Sequence, residues 1–324
     1  MKHCRMRNAL ALSLFSLNLF IIILFLSSCS SNNSTITDFN TGYKSIEVEL
    51  EPLSNPVRRN SLLPLKLTIK NDGASDSNAR FQLTYPFPYL SFSKSEGLKC
   101  DLQQDNSNLV DFSITNFKGK SLQHSVGDRI VGLVYLKPNL PTMQSEKDCQ
   151  INLDYCYNYS ILVNVPLCIN PDYQLTAVEP ACTVEPISLS GGQGSVVSVT
   201  RIEPVESLSN NKVRITLKVY LTNHGNGKLV TYDNGNLDNC FSVQDENLNI
   251  DSIFKKKEVK IRELRIGAEE KITNQIVELF EDNSFEITLT LDDGNYNGNA
   301  YKTSLSMVID YIYKDSDSVT VTVI

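Results

Sequence analysis

Leu65-Lys66-Leu67-Thr68-Ile69-Lys70-Asn71-Asp72-Gly73 alternates apolar and polar residues and then stops on a turn. Leu217-Lys218-Val219-Tyr220-Leu221-Thr222-Asn223-His224-Gly225 does the same 152 residues later. Successive side chains of a strand point to opposite faces of a sheet, so alternation of this kind marks a half-buried strand. Asn-x-Gly then supplies residues that tolerate tight-turn backbone. Similar alternation runs through Ile46 to Leu50, Ala79 to Tyr85, Leu109 to Ile114, Arg129 to Leu136, Gln150 to Tyr157 and Ile161 to Leu167. In the second half it returns at Val196 to Ile202, Val213 to Leu221, Val259 to Ile266, Phe285 to Leu291, Ser304 to Tyr313 and Val319 to Val323. A second match sets Leu153-Asp154-Tyr155-Cys156-Tyr157 against Ile309-Asp310-Tyr311-Ile312-Tyr313 at an offset of 156. Each pentapeptide is followed by an apolar strand, Ile161-Val163-Val165 in one half and Val319-Val321-Val323 in the other. These patterns predict an all-β chain of two tandem immunoglobulin-like β-sandwich domains, residues 44–169 and 191–324. Residues 170–190, with Pro171, Pro180 and Pro186, form the expected connector.

The N-terminus carries a different message. Lys2, Arg5 and Arg7 precede an uncharged apolar run from Ala9 to Leu26, the arrangement of an export signal. The run ends in Leu26-Ser27-Ser28-Cys29, which resembles the lipobox of prokaryotic lipoproteins and implies lipidation of Cys29. Read instead as an uncleaved anchor helix, Ala9 to Ser28 is long enough to span a bilayer. Both readings place the remainder outside the cytoplasm at a membrane surface, with residues 29–43 as a polar tether. Losing Lys2, Arg5 and Arg7 from 30 basic residues leaves 27 against 37 acidic ones, a net charge of −10. An acidic body argues against nucleic acid, whose phosphates demand a basic face.

With Cys4 in the signal and Cys29 assigned to lipid, six cysteines remain: Cys100, Cys149, Cys156, Cys168, Cys182 and Cys240. Their spacing lacks the close pairs of a zinc site, so disulfides are expected. If Tyr157 faces Ile161 across a hairpin, Cys168 lies about 20 Å from Cys156 at ~3.3 Å per residue, too far for a bond. Cys168–Cys182, flanking the connector, is the favoured pair, followed by Cys100 with Cys149 or Cys156; six cysteines allow 15 pairings.

Catalytic constellations are not evident. His124 and His224 stand in polar turns, and no nucleophile-elbow, P-loop or dinucleotide motif occurs. No cofactor is expected, with one calcium candidate: Asp293, Asn295 and Asn297 take positions 1, 3 and 5 of a loop whose position 6 is Gly298. Ser304 stands where the bidentate Glu of such a loop belongs, so an ion-free hairpin loop is the alternative. Gly191-Gly192-Gln193-Gly194 is expected to be a tight turn. Tyr85, Phe87, Tyr89 and Phe92, stiffened by Pro86 and Pro88, either meet a partner or cap the core. Lys255-Lys256-Lys257 with Lys260 and Arg262 reads as a charged edge strand.

Tyr155-Cys156-Tyr157 to Cys168-Ile169-Asn170-Pro171, with Cys182 and Gly191 to Thr200, resembles uncharacterised exported β-sandwich surface proteins of small-genome (DPANN-type) archaea. The strand-Asn-x-Gly segments at Leu65 and Leu217 resemble CARDB-like adhesion modules. These resemblances imply a surface sandwich and carry over no activity. The expected role is a membrane-tethered surface protein, structural or adhesive and without catalysis, whose partner is a surface protein or a glycan. The alternatives are an accessory subunit of a pilus or secretion complex, and a hydrolase assembled from dispersed carboxylates.

Overall fold

The computed structural model describes residues 39–98, 108–170, 180–209, 212–232, 234–241, 257–291 and 300–324. The expected export signal, Cys29, Cys100 and the Asp293, Asn295, Asn297 loop lie outside the described residues. The fold is all-β. One four-stranded sheet runs in the order β1 (Ile46–Pro52), β2 (Leu63–Asn71), β6 (Arg129–Pro138), β4 (Leu90–Glu96). Another runs β14 (Ser284–Leu291), β10 (Lys212–Asn223), β9 (Val197–Ser209), β8 (Ile187–Ser188). A seven-stranded sheet draws on both halves: β13 (Glu269–Glu278), β12 (Glu258–Ile266), β15 (Tyr301–Val323), β7 (Lys147–Ile169), β3 (Ser77–Thr84), β5 (Leu109–Phe117), with β11 (Lys228–Val230) beside β15.

The two opening nonapeptides form most of β2 and β10. Leu63, Leu65, Leu67 and Ile69 are buried on β2, as are Val213, Ile215, Leu217, Val219 and Leu221 on β10. Each such side chain contributes about 1.5–3 kcal/mol on leaving water, and the intervening Lys66, Thr68 and Lys70 stay half-buried.

The halves expected as separate sandwiches share one sheet and one core. Both β7 and β15 are 23 residues long and pair antiparallel from Lys147↔Val323 to Ile169↔Tyr301. At ~3.3 Å per residue each extends for about 75 Å. The last part of β15 pairs with the part of β7 that carries β3, and the last part of β7 pairs with the part of β15 that carries β12. Each half therefore completes its sheet with the other's final strand, and Phe39 to Ile324 form a single compact unit.

Two expectations change here. No hairpin breaks Gln150–Leu167 or Ser304–Val323: Asn158-Tyr159-Ser160 and Lys314 to Ser318 run straight through, because each strand has a neighbour that satisfies its backbone. The equal strands also correct the offset of the second match from 156 to 154, so Tyr157 corresponds to Tyr311 and Tyr159 to Tyr313.

Hydrogen bonds support that correction. Tyr157 and Ser45 hydroxyls meet at 2.6 Å, and so do Tyr311 and Ser195. Tyr159 donates to Asn71 Oδ1 at 3.1 Å, as Tyr313 does to Asn223 Oδ1 at 3.0 Å. Each Asn also accepts from the N–H of its own glycine, Gly73 or Gly225, and donates through Nδ2 to a carbonyl four residues on, Ser75 or Gly227. A Cβ on either glycine would strike the tyrosine hydroxyl. The repeated Asn-x-Gly is thus a socket for a tyrosine from the long strands, beyond being a turn.

Gly191-Gly192-Gln193-Gly194 is the expected turn, with φ of +85°, +71° and +64° at its three glycines. It also clamps the entering chain: Gly42 N–H donates to Gly191 O, and Gly194 N–H donates to Gly42 O. Gln193 is buried and makes both amide hydrogen bonds to Val199.

Candidate polar cleft on the shared sheet

Alternation along β7 sends Tyr157 and Tyr159 into the main core and places Cys156, Asn158 and Ser160 on the opposite face. On that face Cys156 and Ile312 join Tyr232 and Cys240 in a second, smaller apolar cluster. The segment after β11 forms this cover, and the Cys156–Cys240 disulfide ties it down, with a Cα separation of 6.4 Å. Arg80 adds an ion pair to Asp238 at 3.0 Å, and Lys314 Nζ donates to Cys240 O at 3.0 Å.

Beside the cover opens a polar cleft of about 410 Å³, lined by Ala74, Ser75, Asp76, Asn158, Tyr159, Ser160, Tyr232, Arg262 and Asp310. Register sets Ser160 directly against Asp310, and the Ser160 hydroxyl donates to Asp310 Oδ1 at 2.7 Å. Arg262 sits where the β12–β15 pairing slips between Ile261 and Glu263. A residue at such an irregularity escapes strict alternation, and its guanidinium lies 3.5 Å from the same Oδ1. Asn158 Oδ1 accepts from Asn78 N–H at 2.7 Å, and Asp76 pairs with Lys118 at 2.6 Å. Burial pushes the Tyr232 hydroxyl above its usual pKa, with Asp310 acting in the same direction. Lys260 stands over the Tyr232 ring at 5.9 Å.

These residues come from positions 74 to 310, and the sequence marks two of them: Arg262 in the basic stripe, and Asn158 as the acceptor of an Asn-Tyr-Ser glycosylation sequon. Arg262 is expected on a charged edge strand, but β12 lies inside the sheet between β13 and β15, so Lys260 and Arg262 are not at an edge, and Lys255 and Lys256 lie outside the described residues. The bulge at Arg262 and the pairing of Ser160 with Asp310 depend on register between distant strands, which no local pattern reveals.

The other candidate residues scatter. Cys168 is bonded to Cys182, and Cys156 is bonded to Cys240 rather than to Cys100. Cys149 is a buried free thiol whose pKa burial raises. Tyr85 is buried, Tyr89 and Phe92 pack against the core, and Phe87 is 60% exposed, so the aromatic run caps the first half with one ring outward. His224 bonds Ser198 at 2.9 Å and packs against the Tyr43 ring in a tilted arrangement with centroids 4.0 Å apart, while His124 lies in an exposed turn. Among the described residues no group of three His, Cys, Asp or Glu is placed to hold a metal.

Two carboxylates away from the cleft have shifted pKa values. Burial opposes ionisation of Asp72, but Lys120 and Lys70 win and lower it to about 2. Burial raises Glu206 to about 7; its Oε2 accepts from Asn170 N–H at 2.6 Å, and Oε1 has no hydrogen-bond partner.

No family model matches the chain. No curated protein matches it either. Among solved structures it is similar to a type I cohesin–dockerin complex from Clostridium thermocellum, at 12% identity and TM-score 0.26 over 36% of this chain and 83% of that one. A non-cellulosomal cohesin from Archaeoglobus fulgidus gives 15% and 0.22 over 34% and 73%. The major pilin SpaD from Corynebacterium diphtheriae gives 10% and 0.22 over 81% and 56%. Scores of this size carry no weight for fold or partner, and the sandwich assignment stands on the sheets themselves.

Proposed function

We propose that the chain is a membrane-tethered cell-surface protein with a structural or adhesive role and no catalytic activity. The observation that carries this reading is the reciprocal pairing of β7 and β15 along 23 residues. Such pairing makes the two halves resist separation together, a property that suits a load-bearing surface module. Two disulfides close loops across and within the halves, in keeping with an oxidising compartment. The export signal supplies the route, and the resemblance to CARDB-like modules points the same way. Intact cells expressing the full chain or a form lacking residues 44–324 provide the test. Loss of surface adhesion or of a crosslinked neighbour in the deletion supports the reading, and unchanged adhesion and neighbours contradict it.

A further inference from the structure

We propose that the cleft at Asn158, Ser160, Arg262 and Asp310 binds a neutral, hydroxyl-rich saccharide. The inference rests on the adhesive reading and names the ligand class for it. Charge is the first consideration. Each carboxylate in the cleft already faces a cation, Asp310 with Arg262 and Asp76 with Lys118, so no net charge is left to select an ion. Hydrogen-bonding capacity is the second. Among the described residues Asp310 uses Oδ1 for both of its contacts, which leaves Oδ2 as an acceptor. Asn158 uses Oδ1 on Asn78, and its Nδ2, with two donors, has no hydrogen-bond partner among the described residues. Arg262 is half exposed and has spare N–H donors, while Ser75 and Tyr232 add hydroxyls. Fixed donors and acceptors side by side match adjacent sugar hydroxyls, each of which donates and accepts.

Rigidity is the third. Asn158, Ser160 and Asp310 are set on paired strands inside the sheet, and Asp310 is itself only 9% exposed. A group already held in place loses little freedom on binding. The volume lies at the small end of ligand sites, suiting one or two sugar units. Lys260 over the Tyr232 ring leaves recognition to hydrogen bonds instead of ring stacking.

The test uses the full chain in a detergent without a sugar headgroup, probed with an array of neutral and acidic oligosaccharides and with a lysine-rich peptide. Binding to neutral oligosaccharides, weakened at least tenfold by Asp310→Asn and by Arg262→Ala, is the expected result. Thermal midpoints of both variants check folding, and Arg262→Ala alone decides the matter if Asp310→Asn fails to fold. No saccharide binding, selective capture of the peptide, or binding unaffected by both variants would overturn the proposal. If cell adhesion persists in those cases, the saccharide assignment falls and the adhesive role stands.

Discussion

Asn71 and Asn223 each receive a tyrosine hydroxyl from the long strands and fold a glycine beneath it. In the first socket Tyr159 also accepts from Ser75 N–H at 3.1 Å, so Tyr159→Phe removes two hydrogen bonds and leaves the Ser75 N–H without this acceptor. We expect a loss of about 1–3 kcal/mol, read from the urea midpoint. Tyr313→Phe should cost less, about 0.5–1.5 kcal/mol, because Asn223 is exposed where Asn71 is buried, and a loss below about 0.3 kcal/mol in both would remove the sockets from the account. Asp72 and Glu206 predict opposite pH dependence. The folded pKa of Asp72 is lowered from 3.8 to about 2, so its stabilisation is complete above pH 3.8 and disappears as pH falls towards 2. Glu206 is raised from 4.5 to about 7, so the folded state holds its proton more tightly and stability declines as pH rises from 4.5 to 7. Glu206→Gln should flatten that decline, and Asp72→Asn the acid limb, in thermal midpoints measured across pH; profiles that match wild type would refute the assignments.

At the scale of elements, most strands could be read from alternation, but the two longest could not. Asn158 and Ser160, and the run from Lys314 to Ser318, have the composition of turns. They remain in strands because each is hydrogen-bonded across to the opposite long strand, a partner more than 140 residues away. The edge strand β13, Glu269–Glu278, also escaped notice, since neither of its faces is continuously buried. The cleft was hidden for a related reason: its residues meet only once β7, β12 and β15 are in register. Borrowed strands give a sharp expectation for truncation. Removing residues 314–324 takes away the part of β15 paired to Lys147–Cys156. Hydrogen exchange should then rise in β7 and β3 of the first half, though the deletion lies at the end of the second. Exposure confined to the second half would contradict the pairing. Replacing Cys156 and Cys240 by Ala opens a link spanning 84 positions, worth on the order of 4–5 kcal/mol by chain entropy. Its loss should lower the thermal midpoint by many degrees under oxidising conditions.

Across the whole molecule, the duplicated Asn-x-Gly strands, the paired tyrosines and the equal lengths of β7 and β15 describe two related halves. The sequence revealed the duplication; the reciprocal exchange of final strands turns it into one unit instead of two sandwiches on a connector. That exchange joins the two halves along 23 residues and fixes the polar cleft on the sheet they share. Calorimetry of the full chain, with and without Leu217→Ala in the second half, tests it most directly. Leu217 is wholly buried, and its truncation should cost about 2–5 kcal/mol. The account predicts a single endotherm that moves down as a whole in the variant; two endotherms, with only one of them shifted by Leu217→Ala, would contradict it.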